Sequence, residues 1–161
     1  MKQVFVIRHG KSSWENPHWK DIERPLMKKG RKRTKKIAAF LKSNAYVPDL
    51  ILSSHAKRAL ETAGILSDVF GGVPVDVESV IYDGNEEDLD DILMGLPEQI
   101  TTVFIVGHNP DLTDWVNRFK EEKIYHFPTS AVFGVRFLTD RWEDVAVAPY
   151  EEILYAEPKK L

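Results

Sequence analysis

The sequence predicts a three-layer α/β/α sandwich on a mostly parallel sheet, closed by an antiparallel C-terminal strand. Three observations carry this. Short apolar runs alternate with segments of helical period, as in strand–helix units. Two runs, Val4–Ile7 and Val103–Val106, are apolar on both alternating faces, as strands covered on two sides should be. The final third, Ala131–Leu138 and Val145 onward, offers strand-like runs without an intervening helix.

Taken in order, residues 3–7 form the first strand, followed by a polar loop through Pro25 and a helix near 26–43. In that helix Gly30, Thr34, Ile37, Ala38 and Leu41 share one face. Asp49–Leu52 is a second strand, and residues 56–70 are a second helix with Ala59, Ala63, Leu66 and Phe70 as its buried stripe. Gly71-Gly72 end that helix. Val73–Val77 is a third strand, and Pro74 and Asp76 mark it as an edge. A short helix near 86–95, a strand at 101–106 and a helix near 111–120 follow.

The 161 residues, at 18.5 kDa, suit one domain spanning 1–161. Hydrophobic residues at 43% and charged residues at 29% exclude a disordered tail and a membrane protein. The opening apolar run is too short for a signal peptide and meets Arg8. The absence of cysteine removes disulfides, thiolate metal ligands and a cysteine nucleophile. A cytoplasmic protein, monomeric and associated with neither membrane nor nucleic acid, is the expectation. The net charge of −3 argues against general nucleic-acid binding. That average hides two blocks: Lys28–Lys36 carries seven cations in nine residues, and Glu78–Asp91 carries seven acids and no cation. The basic run could meet phosphates or acidic surfaces, but its spacing favours the solvated face of an amphipathic helix.

Chemistry concentrates after the strands. Val4-Phe5-Val6-Ile7-Arg8-His9-Gly10 and Val103-Phe104-Ile105-Val106-Gly107-His108-Asn109 each place a histidine two residues beyond four bulky apolar residues. On adjacent parallel strands, roughly 5 Å apart, both imidazoles would emerge at one sheet edge and could face one ligand. Gly10 and Gly107 would allow tight turns and leave room for that ligand. A single histidine after a strand is more often a hydrogen-bonded structural residue, but a repeated offset beside Arg8 is harder to dismiss. After the second strand, Ser53-Ser54 precede a helix carrying Lys57 and Arg58 in its first turn. The serines could cap that helix, while its N-terminus and Arg58 favour an anion. Arg8 and Arg58 would then converge on a tetrahedral dianion, a phosphoryl group.

Arg8-His9-Gly10, Ser54-x-x-x-Arg58-Ala59-x-x-Thr62-Ala63 and Gly107-His108-Asn109-Pro110, in that order, resemble the histidine phosphatase (phosphoglycerate-mutase-like) superfamily. Lys11-Ser12-Ser13-Trp14 and Glu23-Arg24-Pro25-Leu26 with Gly30 are similar to its small phosphohistidine phosphatases of the SixA type. The resemblance implies His9 as nucleophile through a phosphohistidine intermediate, with Arg8, Arg58 and His108 holding the equatorial oxygens. It implies no cofactor and no metal. The expected substrate is a phosphorylated protein, phosphohistidine in particular, or a small phosphorylated molecule.

For the proton donor the resemblance points to Asp83, in Ile81-Tyr82-Asp83-Gly84, which reads equally well as a turn residue. Glu86, Glu87 and Asp88 read as the acidic first turn of a helix. Ser12 stands where relatives carry a small hydroxyl residue. Arg24 is either a third phosphate guanidinium or part of a loop salt bridge. Glu15 displaces the family's asparagine, which puts Asn16 in doubt as a ligand. His18, His55 and His126 read as surface or structural residues, and Trp14 and Trp19 as a pocket wall or as packing. Three rivals remain open: a phosphoglycerate-type mutase, a metal hydrolase using His9, His108 and Asp49 or Asp83, and a non-catalytic phosphate-binding module.

Overall fold

The computed structural model describes all 161 residues. One six-stranded sheet organises the chain, with β1 (Lys2–Arg8), β2 (Leu50–Ser53), β3 (Val75–Val77), β4 (Thr102–Gly107), β5 (Val132–Phe137) and β6 (Tyr150–Ala156) in the order β3-β2-β4-β1-β5-β6. The first four strands in that order are mutually parallel, and β5 runs antiparallel to both β1 and β6. The expected sheet is therefore present. The third strand, at the edge as expected, is shorter than its apolar pattern suggested.

Helices α1 (Lys28–Ser43) and α2 (Lys57–Val69) cover one face, and α4 (Glu86–Met94) and α5 (Asp111–Phe119) cover the other. A single turn, α3 (Val80–Asp83), precedes α4. The alternation within the central strands explains the two cores. Phe5, Ile7, Phe104 and Val106 pack against Ile37, Leu41, Ala59 and Leu66, whereas Val4, Val6, Val103 and Ile105 pack with Leu93, Leu112 and Trp115. The lysines of α1 occupy its outer side, while Gly30, Thr34, Ile37, Ala38 and Leu41 are buried.

Two expectations need correction. The last strand begins at Tyr150, since a 3-10 turn at Trp142–Asp144 intervenes and Val145 is drawn into the core. The indole of Trp142 is buried and donates to the Ile100 carbonyl at 2.7 Å, which fixes that turn beneath the sheet. Nor do the serines cap α2 directly: the helix starts from Ala56, and the Ser54 hydroxyl accepts only the Ala56 amide at 3.0 Å.

Candidate active site

The register of the central strands brings the site together. Arg8 on β1 lies opposite Gly107 on β4, so the next residues, His9 and His108, leave the same edge side by side. Their ring centroids are 5.0 Å apart. On the other side of β4, Ser53 pairs with Val106, which places Ser54 beside His108 and starts α2 so that Arg58 reaches the same edge. Arg8, His9, Arg58 and His108 all line a cavity of about 720 Å³.

His9 is buried, and its Nδ1–H donates to the Gly10 carbonyl at 2.7 Å, which leaves Nε2 with a free lone pair. This is the tautomer the hydrogen bond selects, because a carbonyl can only accept. Burial holds the His9 pKa down at about 3, reinforced by the charges of Arg8 and Arg58, so the ring is neutral at pH 7. Burial and Arg58 likewise lower His108, to about 4. The Ser54 hydroxyl, which accepts from the Ala56 amide, lies 2.7 Å from His108 Nε2 and can donate to it. His108 Nδ1 is buried with no protein partner. If Nδ1 carries the ring proton, it offers a spare donor.

The two glycines act differently from expectation. A Cβ at Gly10 would come within 2.9 Å of Thr34 Oγ1 and 3.0 Å of the Gly30 carbonyl, and one at Gly107 within 3.0 Å of Ile81. Both absences make room for packed neighbours rather than for ligand. Gly30 is tighter still, since a Cβ there would stand 2.3 Å from the Lys11 carbonyl oxygen. The buried Thr62 ties this corner together, accepting from the Gly10 amide at 2.9 Å and donating to the Arg58 carbonyl at 2.8 Å.

The loop between β1 and α1 closes one side. Ser12 and Arg24 are buried and line the cavity. Arg24 makes the expected loop salt bridge, pairing with Asp21 at 3.0 Å, and it also donates to Ser12 Oγ at 2.6 Å and to the Ser13 carbonyl at 3.0 Å. Trp14 lines the cavity and stacks on Arg24, with 3.3 Å between guanidinium carbon and ring centroid, yet remains 75% exposed. Trp19 faces a different hollow with Ile22, His55 and Leu60. Asn16 is exposed and lies outside the cavity lining.

Asp83 is exposed at the end of α3 and does not line the cavity; the one carboxylate that does is Glu15. Asp21 is the residue sequence reasoning missed. Its carboxylate accepts from Arg58 at 2.9 Å, Arg24 at 3.0 Å and Tyr82 at 2.7 Å, and its backbone carbonyl accepts from Arg58 at 2.7 Å. Burial would raise its pKa, but the three side-chain hydrogen bonds outweigh that and hold it at about 2. The only sequence signal was an acid three residues before an arginine. His126, expected as surface or structural, is exposed but sits 3.1 Å from Arg8 Nη1. His55 packs its ring against Tyr82, and His18 is exposed. No group of three or more His, Cys, Asp or Glu side chains is placed to hold a metal ion, and no helix is long and apolar enough to cross a membrane.

The fold and the sequence are similar to those of known proteins. Two solved structures share the fold across 98% of both chains at a TM-score of 0.83: one named phosphohistidine phosphatase SixA from Agrobacterium tumefaciens, 24% identical, and a protein histidine phosphatase SixA complexed with tungstate, 23% identical. A 2,3-bisphosphoglycerate-dependent phosphoglycerate mutase of Buchnera aphidicola is 35% identical over 69 residues, 40% of this chain and 29% of that protein. The matched segments span less than a third of the curated relatives' lengths. The model of the histidine phosphatase superfamily (branch 1) matches residues 4–137, and the chain belongs to that superfamily.

Proposed function

We propose that the protein is a phosphatase that works through a phosphohistidine on His9 and acts on phosphohistidine carried by a protein. The observation that carries this reading is the His9 hydrogen bond to Gly10, which leaves Nε2 unprotonated within a cavity walled by Arg8, Arg58 and His108. His9 Nε2 attacks phosphorus; the N–P bond forms as the bond to the leaving group breaks. Arg8, Arg58 and His108 take the equatorial oxygens, where charge develops. Water then attacks the phosphoenzyme, releasing phosphate and restoring neutral His9. The arginines supply the positive charge, so no step calls on a metal ion.

The substrate class rests on two features. The cavity rim carries the exposed side chains of Lys11, Trp14 and Glu15, which suits a macromolecular donor. Glu15 is the cavity's one carboxylate, which suits a leaving imidazole, since that group needs less acid assistance than an alkoxide. The likeness to phosphoglycerate mutases favours a second reading, transfer of the phosphoryl group between small molecules. Incubation with labelled phosphohistidine peptide, phosphoramidate and a bisphosphate, followed by alkaline quenching, tests both. Acid-labile label on the wild type and none on His9→Ala is expected, with inorganic phosphate as product. Label persisting on His9→Ala would overturn the role of His9, and rearranged bisphosphate would establish the mutase.

A further inference from the structure

A second basic hollow adjoins the phosphoryl cavity and shares two of its walls. It encloses about 330 Å³ and is lined in part by Arg8, Arg33, His126, Thr129, Glu157 and Lys159; Arg8 and Thr129 also line the larger cavity. Three distant segments build it: α1 contributes Arg33, the turn before β5 contributes His126 and Thr129, and the C-terminal 3-10 turn contributes Lys159. That middle turn is fixed to the catalytic strand, because the Ser130 amide donates to the Arg8 carbonyl at 3.0 Å. Arg8 forms the partition, with Nη1 directed at His126 Nε2 (3.1 Å) and the Phe127 carbonyl (3.2 Å).

Two of the hollow's cations, Arg33 and Lys159, are uncommitted, whereas its carboxylate is not. Glu157 already accepts from Lys160 at 3.2 Å and from the Tyr155 hydroxyl at 3.3 Å. Arg33 and Lys159 form neither an ion pair nor a side-chain hydrogen bond, although Arg31, two residues away, pairs with Glu61. The cationic lining continues outside, since Lys29 and Lys36 are exposed and lie on the helical stripe of Arg33. On a chain with a net charge of −3, such a local reversal of sign is what an acidic partner needs in order to approach.

We infer that this hollow is a second anion subsite, which takes an Asp or Glu side chain of the polypeptide whose phosphohistidine enters the neighbouring cavity. The inference rests on the proposed activity for its substrate and on the shared Arg8 wall for its placement. The subsite acts on affinity, since the charges of Arg33 and Lys159 lie outside the cavity in which the phosphoryl group is transferred. An acidic partner is thereby selected over a neutral one.

The test is a charge reversal, Arg33→Glu with Lys159→Glu, beside the neutral pair Arg33→Gln with Lys159→Gln. Three donors are compared: a phosphohistidine peptide flanked by glutamates, the same peptide with glutamines, and phosphoramidate. Reversing two rim charges is expected to raise KM for the acidic peptide roughly tenfold, with kcat within about twofold. The neutral pair should fall between, and the other two donors should keep their wild-type KM. An unchanged KM for the acidic peptide, or equal changes for all three donors, would overturn the subsite. Binding of the acidic phosphopeptide, measured by anisotropy in a His9→Ala background, separates this outcome from failure of the proposed activity. If the wild type turns over no donor, weaker binding on charge reversal still supports the subsite, and unaltered or absent binding refutes it.

Discussion

Asp21 grips Arg58 from two sides: its backbone carbonyl accepts from Nη1 at 2.7 Å and its carboxylate from Nη2 at 2.9 Å. The same carboxylate holds Arg24 and Tyr82, so one loop residue orients two cavity arginines and joins the loop to α3. Preorganised donors lose little freedom when an anion arrives, which is how such a clamp would contribute to catalysis without touching substrate.

Replacing Asp21 with Ala should therefore lower kcat/KM by roughly 10- to 100-fold, the equivalent of one or two charge-assisted hydrogen bonds. Asp21→Asn, which keeps the carbonyl acceptor, should recover part of the loss. The inhibition constant of inorganic phosphate should rise in parallel, a readout that simple loosening of the loop would leave unmoved.

Ser54→Ala removes the hydroxyl beside His108 Nε2, which by donating to that nitrogen would keep the ring proton on Nδ1. A loss of about tenfold in kcat is expected, as for one neutral hydrogen bond that matters in the transition state. Single-turnover kinetics of phosphoenzyme formation would detect it. An unchanged rate would mean that the Ser54 hydroxyl does not set the His108 tautomer.

Gly30→Ala should destabilise the fold by about 1–3 kcal/mol, because its methyl would meet the Lys11 backbone and only a backbone shift can relieve that contact. Urea denaturation measures the loss. Gly64→Ala is the control, since a Cβ there meets nothing within 4 Å.

The depressed pKa values of His9 (about 3) and His108 (about 4) fix the sign of a pH effect. Between pH 6.5 and 4 the unfolded chain binds protons at these positions while the folded protein does not. Their contribution to stability is complete above about pH 6.5 and declines as pH falls, by up to about 1.4 kcal/mol per pH unit for each ring. His9→Asn should flatten the curve over that window in denaturant titrations. By the same argument, protonation of His9 imposes no acid limb on kcat/KM between pH 7 and 5, once the donor's own ionisation is allowed for.

The sequence by itself determined the layered fold and the four residues at its parallel edge. Strands apolar on both faces must be covered on both sides, and equal offsets after two such strands place His9 and His108 together once the strands pair in register. Arg58 followed because a helix that begins just after a strand has its first turn at the same edge. Only the tertiary structure decided which loop groups join them. Asp21, Tyr82 and His126 come from segments without a period, so nothing local encodes where their side chains point, and long-range contacts set it. The same reason removed Asp83 from the cavity and assigned Gly10 and Gly107 to packing: what a turn residue faces depends on elements remote in sequence.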